Sequence, residues 1–167
     1  MKTNIFAVAA MFASSIAWAV PPSESLIKSC LQAQSVGRSI SIRNINVGEV
    51  FQEDDYSDGF NVTYIFKYKG SDIGCAESSL DQALMYRRRL YRLSKSIPVG
   101  NNRGVKPAAF NPMLAQWSLV NDGGQRYLCV SFNFDGLGRS GSFQRVHGGY
   151  LLNQNTKGLY FFVHDVK

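Results

Sequence analysis

Two segments of the chain carry apolar residues at helical spacing. Between residues 23 and 36 the apolar positions recur every three or four residues and end before Gly37. Residues 78–97 repeat this spacing after a start, Ser78 to Asp81, that resembles a capping box. These patterns predict two helices, the first ending at about residue 36 and the second at about residue 97.

Other segments alternate between apolar and polar residues, which is typical of strands with one buried face. The alternating segments are residues 38–47, 60–68, 117–120, 127–134, 142–152 and 159–166. The strongest turn signal between them is Asn121-Asp122-Gly123-Gly124. The order of helix, two strands, helix and about four strands predicts an α+β fold. We expect an antiparallel sheet of about five to six strands, covered on one face by two helices.

The first nineteen residues have the pattern of a secretory signal peptide. A positive start at Lys2 precedes an almost uncharged apolar stretch, and Ala17 and Ala19 are small residues at the cleavage positions. The apolar run is shorter than the ~20 residues that a membrane-spanning helix needs. We expect a cleaved signal peptide over residues 1–19 and a single domain over residues 20–167. That domain would have no transmembrane segment and would be periplasmic or secreted.

The composition of the chain fits one folded domain and favours anionic partners. Hydrophobic residues make up 45% of the 167 residues and charged residues 18%, so the chain can bury a core. Eighteen basic residues against twelve acidic ones give a formal charge of +6. This excess favours an acidic protein or an anionic envelope component as the partner, and export argues against nucleotides and nucleic acid.

Three cysteines, Cys30, Cys75 and Cys129, fall within the expected exported domain. An oxidising compartment permits one disulfide and one free thiol, with three possible pairings. The spacing resembles neither a zinc knuckle nor a Cys-x-x-Cys redox pair. We predict the disulfide Cys30–Cys75, which would join the first helix to the region before the second.

Basic residues are concentrated in the second predicted helix. They are Arg87, Arg88, Arg89, Arg92 and Lys95. A helix face with this charge predicts a partner-binding surface for an anion. The alternative is a solvated face that is neutralised by the acidic stretch of residues 49–58.

A catalytic group is a second hypothesis for the same chain. His147 could act as a base with Asp135 behind it and with either Cys129 or Ser140 as the nucleophile. The protein would then be an exported hydrolase or transferase. The glycine-rich segment 136–141 precedes a strand-like segment rather than a helix, so we interpret it as a hairpin turn and expect no nucleotide. We also expect no other cofactor and no metal.

These observations favour binding over catalysis. We predict a small exported protein that acts as an inhibitor, an immunity protein or an accessory protein. Its contacts with the partner would be made by the cationic helix. The enzyme hypothesis stays open, as does a third one in which the chain is an envelope component that self-associates through a strand edge.

Overall fold

One α-helix, two short 3-10 helices (Ser57–Gly59 and Leu93–Lys95) and eleven strands make up the regular structure of the described part of the chain. The computed structural model describes residues 20–54, 57–102, 105–133 and 146–165. The helix, α1, spans Glu24–Gln32. The strands are β1 (Ile40–Ile45), β2 (Phe51–Glu53), β3 (Val62–Tyr68), β4 (Ser71–Glu77), β5 (Gln82–Tyr86), β6 (Arg89–Arg92), β7 (Ile97–Pro98), β8 (Gln116–Asp122), β9 (Gln125–Asn133), β10 (Val146–Asn153) and β11 (Leu159–Asp165).

The strands form two sheets that pack face to face. Sheet A has the order β1-β8-β9-β10-β11-β7, and sheet B has the order β2-β3-β4-β5-β6. All pairs are antiparallel except the short pairing of β11 with β7. This arrangement is a β-sandwich with one added helix. The predicted α+β fold, with two helices on a single sheet, is therefore wrong.

The second predicted helix is absent from the described residues, where residues 82–92 form the β5–β6 hairpin. All five residues of β5 are buried. A short strand buried on both faces cannot be told from a buried helix by apolar spacing, and the prediction failed for this reason. Ser78 makes the bond expected of a helix cap, because its Oγ accepts the Asp81 N–H at 3.1 Å. Here that bond closes the β4–β5 turn.

Side chains from the facing sides of the two sheets form the main core. Phe66 and Leu84 of sheet B pack in one cluster with Trp117, Leu128 and Tyr150 of sheet A. The rings of Phe66 and Trp117 meet edge to face, with their centroids 5.0 Å apart. Removing these large apolar surfaces from water is the main stabilising contribution in such a sandwich.

The helix α1 covers the outer face of sheet A, where a second apolar cluster lies. Ser23 caps its first turn, because the Ser23 Oγ accepts the Leu26 N–H at 3.2 Å. Leu26 and Cys30 are buried against side chains of sheet A. The first predicted helix is confirmed, although it ends at Gln32, where Ala33 adopts a left-handed backbone with a φ of 49°.

The predicted disulfide Cys30–Cys75 is wrong. Cys30 is bonded to Cys129 with their Cα atoms 5.8 Å apart, and Cys75 is a buried free thiol. The pairing follows from the packing, because α1 lies on the face of sheet A to which Cys129 belongs, whereas Cys75 lies on β4 of the other sheet. A disulfide is compatible with an oxidising compartment.

Two expectations from the sequence concern export and the membrane. The expected signal peptide, residues 1–19, lies outside the described residues. Among the residues that are described, no helix has both the length and the apolarity needed to cross a membrane.

Candidate functional site

Four hairpin turns lie together at one end of the sandwich. They are the β3–β4, β5–β6, β8–β9 and β10–β11 turns. The Tyr86 Oη donates a hydrogen bond to the Gln154 Oε1 at 3.0 Å, which joins the end of β5 to the β10–β11 turn across the two sheets. The Gln154 N–H donates to the Arg126 carbonyl at 2.7 Å and so connects that turn to the start of β9. Turns from both sheets therefore form one continuous surface.

Cations outnumber carboxylates on this surface. The cations are Lys67, Lys69, Arg87, Arg88, Arg89, Arg126 and Lys157, and the carboxylates are Asp72 and Asp122. All seven basic side chains are solvent-exposed. We call this group of residues the cationic end.

The two carboxylates of the cationic end already have partners. Asp72, whose side chain is 9% exposed, pairs with Lys67 and lies 3.7 Å from the Arg88 Nε. Asp122 accepts hydrogen bonds from two serine hydroxyls. The other five cations form no ion pair with any residue that the structure describes. Their charge is therefore available to a partner.

The β5–β6 turn holds two arginines in an unfavourable backbone conformation. Arg87 and Arg88 have φ angles of 51° and 61°. This is the geometry of a two-residue type I′ turn, in which asparagine and glycine are the preferred residues. A left-handed backbone costs a residue with a Cβ roughly 1–2 kcal/mol. The Arg87 N–H donates to the Asp72 carbonyl at 2.7 Å and helps to hold the turn. Backbone strain of this kind is concentrated at functional sites in proteins.

The five basic residues that the sequence analysis predicted as partner contacts do not lie on one face. The segment predicted as a helix instead forms a hairpin and a short 3-10 turn. Three of the five basic residues, the arginines before Leu90, lie at the cationic end. Arg92 lies at the opposite end of β6, where it donates to the Asp58 carbonyl, lies 3.5 Å from the Asp81 carboxylate and stands 4.5 Å from the centroid of the Phe60 ring. Lys95 is exposed in the short 3-10 turn that follows.

The acidic residues that the structure describes within the stretch 49–58 do not neutralise the cationic end. In the described part of residues 49–58, β2 pairs with β3 so that Glu53 opposes Thr63, at the end of β3 far from Lys69. Among its described residues, this stretch contacts a predicted cation where Arg92 donates to the Asp58 main-chain carbonyl. The molecule thus has one cationic end and an opposite end richer in carboxylates.

Four members of the cationic end were missed by the sequence reasoning. They are Lys67, Lys69, Arg126 and Lys157. They are far apart along the chain and meet because hairpins from two sheets end at the same place. Local turn signals lay beside two of them, at Lys69-Gly70 and at the Gly123-Gly124 pair before Arg126, but these signals did not show that the turns meet.

Of the predicted catalytic group, the structure describes Cys129 and His147. Cys129 is in a disulfide and so cannot act as a thiol nucleophile. His147 is half-buried on β10, opposite His164 on β11. Asp135 and Ser140 lie outside the described residues. Within the ranges that are described, no group of three histidine, cysteine or acidic side chains is placed to hold a metal ion.

The remaining cysteine, Cys75, has an unreactive thiol. Cys75 is completely buried in sheet B, and this burial raises the pKa of its thiol above the usual value of 9.0. The thiolate is the reactive form of cysteine. Cys75 is therefore a protonated core residue at neutral pH.

Comparisons with protein-family models, with curated proteins and with solved structures found no match.

Proposed function

We propose that this chain is an exported binding protein whose cationic end contacts an acidic surface on a partner protein. The observation that carries the proposal is the excess of exposed cations at that end, five of which form no ion pair with any described carboxylate. Opposite potentials on two surfaces speed their encounter and fix their relative orientation.

The rigidity of the turns favours a folded protein as the partner. Two-residue turns at Lys69 and Arg87 keep their side chains attached to a hydrogen-bonded sheet. Binding then costs little backbone entropy. Arginine also presents a fixed fork of donors that matches a carboxylate geometrically. Cations at fixed positions suit carboxylates that are themselves fixed.

An inhibitor, immunity or accessory role would follow if the acidic partner is an enzyme, a toxin or part of an envelope assembly. The exported location in this proposal is supported by the signal-peptide pattern of residues 1–19 and by the Cys30–Cys129 disulfide. The enzyme alternative loses Cys129, and no described contact favours it.

The test compares two charge-reversal variants of residues 20–167. The first replaces the three arginines 87–89 by glutamate. The control replaces Arg43, Lys95 and Lys106, which are exposed elsewhere, and so carries the same change in net charge. Acidic proteins captured from the envelope extract are titrated against the parent and both variants at several salt concentrations, after thermal melts confirm folding.

We expect the first variant to lose about tenfold or more in affinity and most of the salt dependence, while the control stays close to the parent. Equal losses in both variants would mean that net charge alone attracts the partner, and they would overturn the proposal. Binding to anionic lipid vesicles without any acidic protein partner would also overturn it.

A further inference from the structure

A groove lies at the end of the sandwich opposite the cationic end. Its volume is about 330 Å³, and it is lined by Tyr64 of β3, Glu77 of β4 and the segment 109–113 that precedes β8. β5 runs from Gln82, beside the groove, to Tyr86 at the cationic end, so that the two sites are separated by the length of a strand.

Glu77 is held in place by a buried amide. Gln82 is 3% exposed, and its Nε2 donates to the Glu77 Oε1 at 2.6 Å and to the Phe110 carbonyl at 2.9 Å. The Gln82 Oε1 accepts the Phe110 N–H at 2.9 Å. Because both ends of the amide are fixed by the backbone of the groove wall, the carboxylate is oriented before any ligand arrives.

The carboxylate of Glu77 forms no ion pair with any residue that the structure describes. The four ion pairs among the described residues use Glu24, Asp72 and Asp81, and none uses Glu77. Glu77 is half-buried, and its Oε2 accepts no hydrogen bond from any residue described here. Partial burial of an unpaired carboxylate is costly, and a cation placed against it would offset that cost.

The remaining walls of the groove suit an apolar stem. Phe110, Pro112 and Met113 supply aromatic and aliphatic surface, and Met113 remains 58% exposed at the rim. Tyr64 adds an aromatic ring, which attracts cations as well as apolar groups. A ligand complementary to this lining has a positive charge at one end of a short apolar chain.

We propose that the groove binds an organic cation on an apolar stem, namely an alkylammonium or alkylguanidinium group. Glu77 pairs with the charge, and the side chains of the 109–113 segment pack against the stem. This chemistry is found in free alkylamines and in the side chains of lysine and arginine. The site is independent of the proposed function, because it lies at the other end of the molecule and selects the opposite charge.

The experiment is an NMR titration of residues 20–167 with n-butylamine, n-butylguanidine and acetyl-arginine amide, using n-butanol as the uncharged control. The signals to follow are the Phe110 amide and the indole N–H of Trp117, which donates to the Pro112 carbonyl at 2.9 Å. The test variant is Glu77→Gln, which still offers Gln82 an acceptor oxygen. The matched control is Glu53→Gln, which removes an exposed carboxylate outside the groove lining.

We expect saturable shifts with the three cations at millimolar concentrations and none with n-butanol. Glu77→Gln should weaken binding about tenfold, and Glu53→Gln should leave it unchanged. Tighter binding of acetyl-arginine amide than of n-butylguanidine would identify a protein side chain as the source, and the reverse would identify a free amine. No saturable shift, or equal shifts in the parent and Glu77→Gln, would overturn the proposal. None of these results would test the proposed role of the cationic end.

Discussion

Removal of the Cys30–Cys129 disulfide should cost a large part of the stability of the domain. The two residues are 99 positions apart, so that the bond closes a loop of about 100 residues in the unfolded chain. Opening such a loop restores conformational entropy worth about 4.7 kcal/mol to the unfolded state. A domain has a free energy of unfolding of only about 5–15 kcal/mol in total. The double variant Cys30→Ala/Cys129→Ala is therefore expected to be close to unfolding.

Urea unfolding of residues 20–167 measures this loss. Trp117 is the single tryptophan of that range and is buried in the main core, so its fluorescence reports global unfolding. With a slope of about 2 kcal/mol/M, the midpoint should fall by roughly 2–3 M. Cys75→Ala is the control, because it removes a buried thiol without opening a loop, and it should cost only about 1 kcal/mol.

The same measurement can refute the reasoning. A reducing agent should destabilise the parent and Cys75→Ala alike, and it should not affect the double variant. If Cys75→Ala lost its sensitivity to reduction, the pairing would be wrong. If the double variant unfolded at the urea concentration of the parent, the chain-entropy argument would fail for this domain.

Two further predictions concern the hairpin turn and alkaline pH. Replacing Arg87 by asparagine together with Arg88 by glycine should raise the free energy of unfolding by about 1 kcal/mol, because both backbones are left-handed; a lower stability in urea would contradict this. Burial raises the pKa of Cys75 and Tyr150 from usual values of 9.0 and 10.0. Above about pH 9 the unfolded chain therefore releases protons that the folded chain keeps, so the free energy of unfolding should be constant below that pH with respect to these groups and should fall above it. Unfolding midpoints measured across the alkaline range test this, and Cys75→Ala should delay the onset of the fall. A midpoint that does not change with pH would contradict it.

The sequence alone determined the elements whose signals are local. The cap at Ser23 fixed the start of α1, and the Gly-Gly pair at 123 and 124 fixed the β8–β9 turn. The alternating segments at 60–68 and 127–134 became β3 and most of β9. Each of these signals depends on contacts within a few residues, and such contacts are the same in many folds. The concentration of arginines between residues 87 and 92 is likewise visible in the sequence itself.

Only the tertiary structure decided what those elements build. The Leu84 face of β5 is buried because sheet B packs on sheet A, and the Ala83 face is buried in a separate cluster with Phe60. Burial on both faces gave this strand an apolar spacing that resembles that of a helix. Cys30 reaches Cys129 because α1 lies on the outer face of sheet A. The cationic end brings together residues from 67 to 157 at one set of turns. These outcomes depend on contacts between distant parts of the chain, which hydrophobic spacing along the sequence does not encode.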